Sequence, residues 1–165
     1  MGSYKMKAWY TKYNKHMHGL LFLALFSTQV VFSAEFNDSL QEGKLPLCPT
    51  SPNCISSEQG MITAIDFSKM EGQQAWLKLQ KTIITQGGQI KNLQSDYLHA
   101  VFTTPLLEFV DDVQARLDLK SRQIHLRSAS RTGYYDFGAN RARLKKIKQA
   151  MHIALHPEAL KNVYH

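Results

Sequence analysis

The first 34 residues contain no Asp or Glu, and the chain has no hydrophobic run long enough to span a bilayer. Residues 20 to 32 form an apolar run of about 13 residues, below the roughly 20 that a transmembrane helix needs. Four lysines precede it: Lys5, Lys7, Lys12 and Lys15. A basic start, a short apolar run and small residues at its end are typical of a secretory signal peptide. We predict a leader over residues 1 to 34, cleaved near Ser33 and Ala34, and a periplasmic or secreted mature chain. The alternative is an uncleaved membrane anchor.

Cysteine is scarce as well, with only Cys48 and Cys54 in 165 residues. Two thiols do not complete a zinc site, and their spacing is not the Cys-x-x-Cys of redox pairs. An even count in an exported chain favours a disulfide. Two prolines and Asn53 lie between the cysteines and favour a turn that brings the sulfurs together. We predict a structural disulfide, with free thiols or a metal or redox pair as alternatives.

Acidic residues are few in the last third of the chain. Residues 116 to 165 carry 11 basic and 3 acidic side chains, whereas residues 35 to 115 carry 5 basic and 10 acidic ones. The leader holds 4 of the 20 basic residues and none of the 13 acids, so without it 16 basic and 13 acidic residues leave +3 instead of +7. The basicity is therefore poor support for nucleic-acid binding, and no nucleic-acid partner is expected.

Hydrophobic periodicity predicts two helices and four strands. Residues 73 to 86 and 138 to 155 have the apolar spacing of amphipathic helices. Four stretches between them alternate apolar and polar residues: 89 to 94, 97 to 103, 109 to 119 and 123 to 130. Alternation with short turns favours an antiparallel meander with one buried face.

The predicted fold class is α+β. We expect a two-layer sandwich over residues 61 to 156, in which a four-stranded antiparallel meander sheet carries two helices on one face. Residues 35 to 60 have no clear period and are predicted to form an irregular arm that bears the disulfide. Residues 157 to 165 are predicted to be a loose tail.

We expect the second sheet face to be polar and uncovered. Its predicted side chains are His99, Asp112, Gln114, Arg116, His125, Arg127 and Arg131. Arginines and histidines around one acid suit bidentate binding of a carboxylate or phosphate. The alternative is an exposed face with weak ion pairs.

Asp111 breaks this pattern, because it is in phase with the apolar residues of its strand. A buried carboxylate needs a partner. The candidates are Arg127, Arg131, Arg141 or the amides at the start of the second helix; a β-bulge would instead expose Asp111.

A glycine-bearing turn between the last strand and the second helix is the richest stretch of polar residues. Gly133 and Gly138 are predicted to permit positive φ, and Asp136 or Asn140 to cap the helix. Tyr134, Tyr135 and Phe137 are expected to pack the strand onto the helix, with stacking on a ligand as the secondary role. The two glycines lack the following Lys-Ser/Thr of a phosphate loop, which argues against nucleotide binding.

The sequence gives little support for a catalytic site or for a bound metal or cofactor. Ser128 or Ser130 with His99 or His125 and an Asp supplies the residue types for hydrolysis, but there is no nucleophile-elbow sequence. The histidines lack metal-ligand spacing, and His152 with His156 is only a weak candidate. We expect no metal and no cofactor.

Four motifs in order resemble an uncharacterised family of bacteria and plastids, catalogued as domain of unknown function 1499. They are Cys-Pro-x-Ser-Pro-Asn-Cys-x-Ser-Ser at 48 to 57, Tyr-Leu-His-Ala at 97 to 100, Phe-Val-Asp-Asp-Val at 109 to 113 with Arg-Leu-Asp at 116 to 118, and Arg-Ser-Ala-Ser-Arg-x-Gly-Tyr-x-Asp-x-Gly-x-Asn-Arg at 127 to 141. The resemblance covers about residues 45 to 155. It names no activity, and it implies that the motif positions act as one unit.

The predicted function is a non-enzymatic exported module that binds an anionic small molecule, a lipid headgroup or a protein partner. Its predicted binding cluster or polar network comprises His99, Asp111, Asp112, Arg116, Arg127, Ser128, Ser130, Arg131, Tyr134, Asp136, Asn140 and Arg141. The alternatives are a purely structural or interaction protein, in which this cluster is a buried network, and a small hydrolase. Membrane association is expected only through an uncleaved leader.

Overall fold

The computed structural model describes residues 36 to 104 and 109 to 157. The predicted leader and the predicted tail beyond Pro157 lie outside the described residues. The helices and strands are β1 (Cys54–Ser56), β2 (Ile65–Asp66), α1 (Gly72–Thr85), β3 (Gln89–Leu93), β4 (Tyr97–Thr103), β5 (Val110–Asp118), β6 (Gln123–Ser130) and α2 (Ala139–Leu155).

The α+β architecture and the antiparallel meander are confirmed. Strands β3, β4, β5 and β6 pair in sequence order, each antiparallel to its neighbour. Their ends and those of both helices lie within one residue of the prediction. The agreement arises because these elements are long enough for a period of 2 or 3.6 to repeat.

Two short strands extend the sheet beyond the four that were predicted. Strands β1 and β2 both pair antiparallel with β6, at Ala129 to Arg127 and at Ile124 to Gln123 respectively. The sheet of the described residues therefore has six strands. Strands of three and two residues are too short to show an alternating pattern, so periodicity did not reveal them.

Both helices pack on one face of the sheet, where a single apolar core lies. The core includes Trp76, Leu79 and Ile83 from α1 and Leu144, Ile147 and Met151 from α2. The sheet contributes Leu98, Ala100, Val113, Ala115, Ile124 and Leu126. These strand residues are the apolar half of the alternating pattern, so the predicted side of each strand is correct.

The prediction that the opposite face stays uncovered is wrong. Tyr97, His99, Asp112 and Gln114 are each at most 3% exposed on that face. Residues of the arm form a cover, since the side chain of Gln114 donates to the carbonyl of Asn37 at 2.7 Å. The arm has no periodicity, so its own sequence gave no sign of where it would lie.

The predicted disulfide is confirmed. Cys48 and Cys54 are bonded, with their Cα atoms 5.5 Å apart, and both are buried. The bond closes a loop whose last residue begins β1, and this ties the arm to the edge of the sheet at β6.

Candidate functional site

The sheet divides the predicted cluster into two networks on opposite faces. Asp111, Ser128 and Ser130 face the helices, whereas Asp112, Arg127 and the other residues in their phase face the arm. We call these the helix-face network and the polar-face network. They do not form one continuous site.

The helix-face network is built around the carboxylate of Asp111, which is 2% exposed. The guanidinium of Arg143 in α2 donates to Asp111 Oδ2 at 2.5 Å and to Asn140 Oδ1 at 2.7 Å. A third donation from Arg143 reaches Ser128 Oγ at 3.1 Å, and the same guanidinium lies 5.1 Å from the ring centroid of Phe102. The buried acid is thus paired and hydrogen-bonded, as a buried charge requires.

Asn140 connects this pair to the disulfide loop. Its amide donates to the carbonyl of Asn53 at 2.9 Å and to Ser130 Oγ at 3.0 Å, while its Oδ1 accepts from Ser128 at 2.6 Å. The side chain of Asn53 in turn donates to the carbonyl of Gly133 at 2.5 Å. Helix α2, strands β5 and β6 and the disulfide loop are therefore joined by one polar network.

The burial of Asp111 was predicted, but its partner was not. Arg143 is the partner, and Arg127, Arg131 and Arg141 are not. Arg143 lies three residues after the buried Asn140 and four before the buried Ile147, so helical spacing places all three near the inward face. That spacing was the signal in the sequence.

The polar-face network is centred on the carboxylate of Asp112. Arg131 binds it through both oxygens, at 2.9 Å from Nε and 2.8 Å from Nη2, and His99 Nε2 lies 2.8 Å from Oδ1. Burial acts to raise the pKa of Asp112, but the hydrogen bonds from His99 and Arg131 prevail and lower it. The ring centroid of Phe36 lies 4.4 Å from that of His99, with the rings tilted by 40°, and 5.3 Å from the guanidinium carbon of Arg131.

A directed chain of hydrogen bonds crosses this face from β6 to the arm. Arg127 Nη1 donates to Gln114 Oε1 at 2.9 Å, and Gln114 Nε2 donates to the hydroxyl of Tyr97 at 2.8 Å. Tyr97 donates to Asp38 Oδ1 at 3.1 Å. Burial raises the pKa of Tyr97, so its hydroxyl keeps the proton that it donates.

Two buried nitrogens of this network lack a hydrogen bond, His99 Nδ1 and Arg127 Nε. His99 Nδ1 lies 2.9 Å from Asp38 Oδ1, but Arg127 has no such contact with a described carboxylate. The residue is 9% exposed, its Nε has no hydrogen-bond partner, and no carboxylate among the described residues lies within ion-pair distance. Asp112 acts on it only at longer range and is already bound by Arg131 and His99. Burial consequently lowers the pKa of Arg127.

A third group of charges surrounds Arg116 at the far end of the same face. Arg116 Nε donates to Glu58 Oε1 at 2.9 Å, and Glu58 also approaches His125 Nδ1 at 3.8 Å. Burial acts to raise the pKa of Glu58, but the hydrogen bond from Arg116 and the nearby charges lower it. The sequence did not point to Glu58, because it lies in the unpatterned arm.

The residue types of a hydrolase do not come together. Ser128 and Ser130 bond to Asn140 on the helix face, whereas His99 and His125 lie on the other side of the sheet. Ser57 Oγ does lie 3.3 Å from His125 Nδ1, but Glu58 approaches this same nitrogen. A triad needs the acid on the opposite ring nitrogen. Within residues 36 to 104 and 109 to 157, no three His, Cys, Asp or Glu side chains gather as metal ligands would.

The turn before α2 differs from its prediction in two respects. Gly133 and Gly138 have φ of +83° and +79°, as predicted. The N-cap residue is Gly138 and not Asp136 or Asn140, but Asp136 accepts from the backbone amides of Gly138 at 3.0 Å and Asn140 at 2.8 Å and so satisfies a donor at the start of the helix. The aromatic side chains, however, do not pack the strand onto the helix. Tyr134, Tyr135 and Phe137 are 74%, 58% and 90% exposed, so that expectation is wrong.

Fold and networks together define a small α+β domain in which an arm with a disulfide covers the polar face of an antiparallel sheet. The family model described as "Protein of unknown function (DUF1499)" matches residues 44 to 151, and the chain belongs to this family. The four motifs had indicated this family. No curated protein matches the chain. None of the helices in the described residues is long and apolar enough to cross a membrane.

Proposed function

We propose that this protein is an exported, non-enzymatic module that binds an anionic group at Arg127. The group would be a carboxylate or phosphate carried by a small molecule, a lipid headgroup or a protein partner. The observation that supports the proposal is the buried guanidinium of Arg127, whose Nε lacks a hydrogen-bond partner. The disulfide is consistent with an oxidising compartment and supports export.

An unpaired buried cation destabilises the fold. Desolvating a charged group costs several kcal/mol unless a counter-charge and hydrogen bonds compensate (about 3–5 kcal/mol when a buried pair loses one partner). Arg127 has one hydrogen bond to a neutral amide, that of Gln114. A bound oxyanion would supply both the missing acceptor at Nε and the missing negative charge.

We assign the helix-face network a structural role. A buried polar network was the alternative to a binding site for the whole predicted cluster. Its carboxylate, guanidinium and amide are mutually hydrogen-bonded, and Asp111, Ser128 and Asn140 are each at most 2% exposed. This network has no vacant donor comparable to Arg127 Nε among the described side chains. Binding is therefore assigned to the arm side of the sheet and stability to the helix side.

Replacing Arg127 by Met tests the proposal, because a binding residue and a structural residue respond in opposite ways. We expect Arg127→Met to leave the free energy of unfolding unchanged or to raise it, since an uncompensated charge is removed and the aliphatic volume is kept. Thermal unfolding would be measured with inorganic phosphate and with citrate, against chloride at equal ionic strength. The wild type should be stabilised by one of these anions and Arg127→Met should not.

The matched control is Arg131→Met, which removes a guanidinium that is already paired with Asp112. It should destabilise the protein while preserving the anion response. A large loss of stability in Arg127→Met would make Arg127 a structural residue and contradict the proposal. An equal response of both proteins to phosphate and citrate would place anion binding elsewhere.

A further inference from the structure

Three exposed aromatic side chains are concentrated in the segment that joins β6 to α2. Tyr134, Tyr135 and Phe137 are 74%, 58% and 90% exposed, and they lie within four consecutive residues. We call residues 131 to 138 the aromatic loop. Single exposed apolar residues are common on protein surfaces, but a group of large ones marks an interaction surface.

The aromatic loop is held in place by polar contacts at both ends. Asn53 donates to the carbonyl of Gly133 at 2.5 Å, and Asp136 binds the amides of Gly138 and Asn140. The rings of Tyr135 and Phe137 also contact each other edge to face, 5.1 Å apart. The rings are presented on an ordered support, so a partner would bind them with little further loss of conformational entropy.

Cationic side chains adjoin the aromatic loop on both sides. The side chain of Arg131 is 42% exposed at its start. Arg141 follows Phe137 by four residues, and Lys145 lies one helical turn beyond Arg141 on the same flank of α2. Lys145 and the neighbouring Lys146 are exposed and have no ion pair within the described parts of the chain. The one carboxylate of the loop, Asp136, is already bound by backbone amides.

We propose that the aromatic loop and the adjoining flank of α2 dock on the surface of a bilayer that contains anionic lipid. Tyr and Phe favour the boundary between headgroups and acyl chains, where an aromatic ring is buried and a hydroxyl stays hydrated. Lys and Arg beside them are attracted to anionic headgroups. Docking is peripheral and does not require the leader. It therefore differs from the expectation that the protein associates with a membrane only through an uncleaved leader. It is also independent of the anion site at Arg127.

Co-sedimentation with vesicles tests this surface. Binding would be compared on phosphatidylcholine vesicles with and without phosphatidylglycerol, at low and high salt. All variants are made in the full chain, so the contribution of residues 1 to 34 is common to them. The combined variant Tyr134→Ser, Tyr135→Ser, Phe137→Ser should lower the vesicle partition coefficient at least about tenfold.

Removing charge should act differently from removing the rings. Lys145→Gln should weaken binding about fivefold on vesicles with phosphatidylglycerol at low salt, and leave binding to neutral vesicles unchanged. The matched controls lie on the outer face of α1: Leu77→Ser removes a side chain that is 62% exposed, and Lys81→Gln removes a charge. Both controls should bind vesicles like the wild type.

Three results would overturn the docking surface. The first is that the combined aromatic variant binds vesicles as strongly as the wild type does. The second is that the wild type binds neutral and anionic vesicles equally at every salt concentration. The third is that, in sedimentation velocity without lipid, the wild type self-associates and the aromatic variant does not. The aromatic loop would then be a contact between two copies of the chain. Circular dichroism and thermal unfolding of each variant confirm that the fold is intact.

Discussion

The pairing of Asp111 with Arg143 gives the sharpest test of how α2 is attached to the sheet. Arg143→Met keeps most of the aliphatic side chain beside Phe102 but removes the guanidinium. Asp111 is 2% exposed, so its carboxylate would remain buried without a counter-charge. Breaking a buried pair from one side typically costs about 3–5 kcal/mol, and the bonds to Ser128 and Asn140 are lost as well.

The measurement is urea unfolding with the disulfide intact, followed by circular dichroism. We expect Arg143→Met to lower the free energy of unfolding by about 3–5 kcal/mol and Tm by about 10 °C or more. Lys146→Met is the matched control, since it removes an exposed charge from the same helix and should change stability by less than about 0.5 kcal/mol. The double variant Asp111→Asn, Arg143→Met removes both charges and should be more stable than the sum of the single effects predicts. Equal losses in Arg143→Met and Lys146→Met, or strict additivity in the double variant, would refute this reasoning.

Two other predictions concern the disulfide and the acidic residues of the polar face. Replacing both cysteines, Cys48→Ala with Cys54→Ala, should lower the free energy of unfolding in urea by about 2 kcal/mol. This is the loop-closure entropy for a sequence separation of 6. The control is Leu47→Ala, an exposed residue of the same arm, and a smaller decrease in the cysteine variant than in this control would contradict the prediction. In the fold, the pKa values of Asp112 and Glu58 are lowered from their ordinary 3.8 and 4.5. Burial acts to raise them, but hydrogen bonds from His99 and Arg131 to Asp112, and from Arg116 to Glu58, outweigh it. A lowered folded pKa gives stability that is present above the ordinary value and lost as pH falls through the folded value. Stability should therefore decline below about pH 4.5, and Arg131→Gln should make that decline shallower; an unchanged slope in Arg131→Gln would show that Asp112 is not held by Arg131 in solution.

The sequence predicted what depends on a repeating period. Leu98, Ala100 and Phe102 alternate with Tyr97, His99 and Val101 along β4, and the strand buries the first set against the helices as predicted. The burial of Asp111 followed from the same phase. The period of 2 predicts which face of the sheet a side chain lies on, but it does not predict what packs on that face.

What the sequence could not predict depends on where separate segments meet. Arg143 pairs with Asp111 from 32 residues away, and the angle at which α2 crosses the sheet decides that pairing. The arm has no period, yet Asn37 and Asp38 cover the polar face through contacts with Gln114 and Tyr97. The aromatic residues of the loop were expected to pack the strand onto the helix. They are exposed instead, in a segment bounded by two glycines with positive φ, and a pattern of residue types does not reveal the path of such a segment.

The arm that covers the sheet also gives the chain contacts between distant segments. Asp38 bonds to Asn92 and Tyr97, and Asn37 to Gln114, at separations of 54, 59 and 77 residues. Each of these bonds closes a long loop and therefore costs more chain entropy than a contact between neighbours in sequence, and contacts of this kind slow folding. In a chain whose arm is detached, Tyr97 and Gln114 would lose these partners and be open to water.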